Sequence, residues 1–159
     1  MLRTRRLVLR AVDTLEAERV VAGRPDPQDR WAQDFPFAGD VAGATMFLRA
    51  TAAYGDLGPF GHYLVIRADD DRAIGGIGFK GLPEAGSVEI GYGLVTSARG
   101  HGYAAEAVGA LVALARGRGV SRVVAHTVQD NIASQRTLDR AGFTRTGTEG
   151  DEYLYELGL

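Results

Sequence analysis

The stretch from Val88 to Val128 constrains the fold more than any other part of the chain. Val88–Val95 has the apolar pattern of a strand, and Arg99-Gly100-His101-Gly102 is a short glycine-rich loop. From Gly102 onward Ala104, Val108, Leu111, Val112 and Ala115 recur at helical spacing. Val120–Val128 then returns to a strand rich in β-branched residues. Strand, helix and strand in this order make a βαβ unit, so the two strands should lie parallel in one sheet.

The loop before that helix has a chemical reading. The first turn of a helix carries backbone N–H groups without intrahelical partners, and the helix dipole favours an anion above them. Gly100 and Gly102 let the backbone come close to a phosphate group, Arg99 can add a charge-assisted hydrogen bond, and Ala104 keeps the next turn low. A plain connection with glycines for tight turning would use the same residues, so the spacing by itself leaves both readings open.

The flanking sequence fills in a single α+β domain over residues 1–159. Leu7, Leu9 and Ala11 alternate as a first strand, and Thr14 is placed to cap a helix running to about Gly23. After a polar, proline-containing loop, Asp40 is placed to cap a second helix whose stripe is Val41, Thr45, Phe47, Leu48 and Ala52. Phe60–Ala68, Ala73–Lys80 and Val88–Val95 read as three strands, with turns at Asp69–Asp71 and Pro83–Gly86. Asn131–Ala141 is a short helix closed by Gly142, with Phe143 folding back on Leu138, and two strands near 143–148 and 152–157 end the chain. The expected order is β-α-α-β-β-β-α-β-α-β-β: a mixed sheet of about seven strands flanked by about four helices.

Composition removes several functions. The chain has no cysteine, which excludes disulfides, thiolate metal sites and a cysteine nucleophile. Its three histidines, His62, His101 and His126, have no second ligand at helical spacing, so no metal is expected. A net charge of −2, from 18 basic and 20 acidic residues, gives no electrostatic case for nucleic acid or a membrane surface. No signal peptide or apolar span is read, and the default expectation is cytoplasmic. Gly76-Ile77-Gly78-Phe79-Lys80-Gly81 matches G-x-G-x-x-G, but it lies in a strand with Pro83 and Gly86 where a helix would have to begin. It is rejected as a flavin or NAD fingerprint and read as glycine in a twisted or bulged strand.

Arg99-Gly100-His101-Gly102-Tyr103-Ala104 resembles motif A of the GNAT superfamily of N-acetyltransferases, [Q/R]-x-x-G-x-[G/A]. Thr4-Arg5-Arg6-Leu7-Val8-Leu9-Arg10, Glu89-Ile90-Gly91-Tyr92 and Asn131-Ile132-Ala133-Ser134 are similar to segments of the ribosomal-protein alanine N-acetyltransferase branch, in the same order along the whole chain. The resemblance implies acetyl-CoA as co-substrate and no metal. It assigns the pyrophosphate to the segment Arg99, Gly100, His101, Gly102, Tyr103 and Ala104, in which Tyr103 is expected to pack or lie over the cofactor and His101 to face solvent, and the acetyl carbonyl and pantetheine arm to the backbone of Leu94, Val95 and Thr96. It also implies that the strand at Val88–Val95 splays from Val120–Val128. Two departures stand out. That branch often carries a tryptophan where this chain has Gly93, from which a cavity or a looser strand is expected. Many members place a tyrosine acid just past the last helix, where this chain has Phe143.

Direct attack of a primary amine on acetyl-CoA in a ternary complex is the simplest chemistry for a chain without cysteine. Glu89 is assigned as the base, through a water, and Ser134 as the group that protonates the CoA sulfur; a structural carboxylate and a first-turn serine are the competing roles. Asn131 caps its helix and, by resemblance, also touches the cofactor. The acceptor wall is assigned to the loop Arg24–Asp40 with Trp31, Phe35 and Phe37, joined by His62 and Tyr63. The acceptor is a protein N-terminus or a small-molecule amine. A non-catalytic acyl-CoA-binding module on the same fold is the alternative, and a homodimer is left open.

Overall fold

The computed structural model describes residues 1–159. In chain order the elements are β1 (Leu2–Arg3), β2 (Leu7–Ala11), α1 (Thr14–Ala22), α2 (Ala38–Tyr54), β3 (His62–Arg67), β4 (Arg72–Phe79), β5 (Ser87–Leu94), α3 (Tyr103–Gly117), β6 (Arg122–Val128), α4 (Ile132–Arg140), β7 (Thr144–Glu149) and β8 (Glu152–Gly158). Single 3₁₀ turns at Gly58–Phe60 and Thr96–Ala98 lead into β3 and out of β5. The eight strands form one sheet in the order β1-β2-β3-β4-β5-β6-β8-β7. The sequence pattern misses only β1, two residues that pair with Leu9 and Val8.

β5 and β6 are the parallel pair, and their pairing is short. It runs from Ser87↔Arg122 to Ile90↔Ala125 and stops. Beyond it β5 continues to Leu94 paired only with β4, while β6 continues to Val128 paired only with β8. The sheet therefore splits down its middle, and one edge of β5 faces the gap from Gly91 to Leu94.

Side chains alternate across the sheet. On one face Leu9, Val65, Ile77 and Ile90 pack with Ala107, Val108, Leu111 and Ala115 of α3 and Leu138 of α4 in a continuous core. On the other face, beneath α2, the registered pairs Gly76↔Gly93 and Gly78↔Gly91 leave adjacent strands bare. Added Cβ atoms would lie 2.9 Å from His62 Nε2 at Gly76 and 2.5 Å from Phe37 Cζ at Gly93. The G-x-G-x-x-G run is thus a sheet trench with a register shift beside it, at Val65/Ile66.

Three helix expectations change in detail. Asp13, not Thr14, caps α1, its carboxylate accepting from the Glu16 amide at 2.8 Å. Phe37, not Asp40, is the capping position of α2; Asp40 sits in the first turn and its Oδ2 accepts from the Phe37 amide at 3.0 Å. The stripe of α2 also differs. Asp40 and Ala44 are its buried residues, while Val41, Thr45, Phe47 and Leu48 are half-buried and Ala52 is exposed. A helix laid over a glycine trench meets open space where a filled core would reward large side chains. α4 follows expectation: Asn131 Oδ1 accepts from the Ser134 amide at 3.0 Å, and the Phe143 amide donates to Leu138 O.

Candidate active site

Two cavities open into the split and meet. The smaller, about 440 Å³, lies above the N-terminus of α3 and is lined by Leu94, Arg99, Gly100, Gly102, Tyr103, Ala104, Asn131 and Ser134 among others. Gly100 and Gly102 have φ of 81° and 80°, a left-handed backbone that side-chain-bearing residues rarely adopt. Arg99 Nε donates to Leu94 O at 3.0 Å, and its guanidinium stands 5.6 Å from the Phe37 ring. Arg136 and Arg140, four apart on α4, line the opposite wall. These two arginines were missed; their i, i+4 spacing in a helix facing the loop was the available signal.

Three residues of the expected cofactor set, Val95, Thr96 and His101, line neither cavity, and for His101 a solvent-facing side chain is the expectation. The Val95 side chain is fully buried and its amide donates to Ile74 O at 2.9 Å, which leaves that N–H unavailable. Thr96 is exposed at the start of its 3₁₀ turn. His101 is exposed, and its carbonyl accepts from Arg6 Nη1 at 2.8 Å. Arg6 also bonds Glu106 in the first turn of α3, as does Thr4 Oγ1. The opening Thr-x-Arg segment thus clamps the helix that carries the glycine loop.

The larger cavity, about 1210 Å³, lies between α2 and the glycine trench. Glu89, Lys80, His126 and His62 line it. Glu89 Oε2 forms an ion pair with Lys80 Nζ at 3.0 Å and lies 3.2 Å from His126 Nδ1, so Oε1 is the free oxygen. His126 Nε2 is 3.1 Å from Glu149 Oε2. Against the desolvation that lowers it, Glu89 and Glu149 hold the His126 ring above its ordinary value.

The cavities share Gly39, Tyr92, Gly93 and Ser134. Tyr92 Oη and Ser134 Oγ are 2.8 Å apart. Burial, partly offset by that hydrogen bond, pushes the Tyr92 phenol up to about 12, so it is protonated at neutral pH. Tyr92 is the principal residue the sequence reading left without a role. Phe143, at the position of the familiar tyrosine, is buried in the core.

The acceptor wall is corrected most. Phe35 is buried and Trp31 packs edge-on against it with ring centroids 5.1 Å apart; neither lines either of the two cavities at the split. Tyr63 is buried on the opposite sheet face from His62 by strand alternation, its phenol donating to Pro59 O at 2.7 Å. The acids of that loop are also engaged: Asp29 binds Arg19, and Asp34 accepts from Ser97. Phe37 is the aromatic that reaches the cleft. Its ring lies over Gly93, 2.5 Å from where a Cβ there would stand, and Gly93 itself lines both cavities, as expected where the tryptophan is missing.

A mixed sheet split at a parallel pair, with an anion cradle at one end of the split and a carboxylate-bearing cleft at the other, is the architecture of an acyl-CoA transferase. The family model "Acetyltransferase (GNAT) domain" matches residues 6–144, and the chain belongs to this family of acetyl-CoA-dependent acyltransferases. It is similar to the uncharacterized N-acetyltransferase YjdG of Bacillus subtilis (strain 168), 40% identical over 86 residues, a match that spans 53% of this chain and 51% of YjdG. It is also similar to YoaA, an uncharacterized N-acetyltransferase of the same organism, 28% identical over 99% of this chain and 90% of the relative. Mycobacterium smegmatis RimJ, solved with CoA-disulfide, shares the fold at a TM-score of 0.66 and 18% identity, over 96% of this chain and 81% of RimJ.

Proposed function

We propose that the protein is an N-acetyltransferase that moves the acetyl group of acetyl-CoA to a primary amine by direct attack in a ternary complex. The observation that carries this reading is the meeting of the two cavities at Tyr92, Gly93 and Ser134, with Glu89 in the wall of the larger one. The pyrophosphate is assigned to the α3 N-terminus with Arg99, Arg136 and Arg140 around it. The pantetheine arm follows the open edge of β5 from Leu94, where backbone groups lack a strand partner.

The acceptor enters through the larger cleft. An amine with a pKa of about 8 to 10 is mostly an ammonium at neutral pH, so it must lose a proton before it attacks. Glu89 Oε1 is the free carboxylate oxygen placed to take that proton, directly or through a water. As the C–N bond forms and the C–S bond breaks, the electron pair passes to sulfur. The Tyr92–Ser134 pair is the hydroxyl donor next to the junction that protonates the thiolate. The acceptor is a protein N-terminus or a small-molecule amine, and the reaction is assigned to the cytoplasm.

The test is a screen of N-terminal peptides and small amines with acetyl-CoA, followed by CoA release. Glu89→Gln should lower kcat by about 10²-fold or more while acetyl-CoA still raises the melting temperature. Acetyl-CoA stabilisation with no CoA release for any amine would instead make the protein a binding module.

A further inference from the structure

We infer that His126 and Glu149 form a proton exit from Glu89 to solvent. This rests on the reading of Glu89 as the base. The three groups make an unbroken chain: Glu89 Oε2 to His126 Nδ1 at 3.2 Å, then His126 Nε2 to Glu149 Oε2 at 3.1 Å. Its inner end lines the acceptor cleft, and its outer end is exposed, with 69% of the Glu149 side chain open to solvent.

Proton balance calls for such a path. An ammonium and acetyl-CoA become an amide, CoA thiol and one proton. The nitrogen gives up two protons in all; one ends on sulfur and the other must reach bulk water. The proton taken by Glu89 on Oε1 is that second one, and a half-turn of the carboxyl, which exchanges its two oxygens, brings it against His126 Nδ1. A neutral His126 ring, its Nε2–H directed at Glu149, accepts it at Nδ1 and becomes an imidazolium held between two carboxylates. It then releases the Nε2 proton through Glu149, and exchange with solvent resets the tautomer.

The surroundings leave the ring no other acceptor. The groups facing it are Glu89 on β5 and Glu149 at the end of β7, with Lys80 acting through Glu89. On β8 its register partner is Leu154; Glu152 and Glu156 stand two positions to either side, and Glu156 pairs with Arg122. A ring serving only as a strut would need one carboxylate. Two, one in the cleft and one in solvent, make a conduit.

His126 acts through Glu89 rather than on the substrate, so the test needs a readout that a strut would not move. With an amine identified by CoA release, His126→Ala should lower kcat about tenfold with the KM for acetyl-CoA unchanged, and added imidazole should restore turnover. Glu149→Gln should shift the pH–rate limb of the ring downward. ¹⁵N NMR of histidine-labelled protein gives a check without an acceptor: His126 should titrate lower in both Glu89→Gln and Glu149→Gln. If His126→Ala turns over like wild type, or falls without imidazole rescue, or the ring titrates alike in all three proteins, the exit is overturned while a dead Glu89→Gln keeps the base. If Glu89→Gln is fully active, the base falls, and the exit with it.

Discussion

Asp40 and His62 sit together under α2, and substituting Asp40 should reveal a pH dependence that the intact pair hides. Asp40 is 2% exposed and His62 8%, and both point at the bare trench: a Cβ on Gly76 would lie 3.2 Å from Asp40 Oδ1 and 2.9 Å from His62 Nε2. Neither atom has a hydrogen-bond partner. Burial, only partly offset by the Phe37 amide, raises the Asp40 carboxyl to about 7; burial lowers the His62 ring to about 4.

Between about pH 4 and 7 the folded chain therefore holds a proton on Asp40 that the unfolded chain has lost. That contribution makes stability fall as pH rises, by about 1.4 kcal/mol per pH unit. Between about pH 4 and 6.5 the unfolded chain holds a proton on His62 that the folded chain lacks. That contribution makes stability rise by the same slope. From about pH 4 to 6.5 the two cancel, because each state carries one proton on the pair.

Asp40→Asn removes one of the two while keeping an acceptor for the Phe37 amide. The stability of the variant minus that of wild type should then climb by about 3 kcal/mol from about pH 4.5 to 6.5. Urea unfolding followed by the fluorescence of Trp31 measures it. His62→Gln should give the opposite slope. A difference that stays flat with pH for either variant would refute the assigned ionisation of that group.

Other substitutions probe the junction and the cradle. Tyr92→Phe should lower kcat and leave acetyl-CoA binding within about twofold; Ser134→Ala should do the same, and the double variant should cost no more than the worse single one, as expected for groups acting as a unit. Gly93→Ala forces a Cβ to within 2.5 Å of the Phe37 ring and should destabilise by about 1–3 kcal/mol in thermal melts, a loss that Phe37→Ala in the same chain relieves. Replacing Arg136 and Arg140 together with glutamine should weaken acetyl-CoA binding by about tenfold or more in calorimetry, with less effect on dephospho-pantetheine analogues that lack the pyrophosphate.

The fold was legible where the pattern had one physical cause. The strand–glycine loop–helix order needed only periodicity and helix-end chemistry, and Asn131 and Gly142 marked the ends of α4 by their capping preferences. β1 was invisible because two residues make no period. The acceptor wall failed for a different reason. An aromatic residue in a polar loop reads as exposed, but the loop folds back so that Trp31 pairs with Ala73 and Phe35 enters the core. Strand parity could have separated His62 from Tyr63, since neighbours in a strand face opposite sides. Tyr92 had no such cue: its importance comes from Ser134, forty-two positions away, and only the fold brings the two hydroxyls together.

The short β5–β6 pairing has a consequence for how the molecule behaves as a body. Four residue pairs, Ser87 to Ile90 against Arg122 to Ala125, are the only ladder between a five-stranded leaf and a three-stranded one. The sheet is a book with its spine stitched at one end. A pantetheine arm lying in the open end would add the missing stitches, and the two leaves would then move as one plate. Occupancy of the cleft should thus be felt in the amide exchange of β8 and β7, on strands the cofactor need never touch.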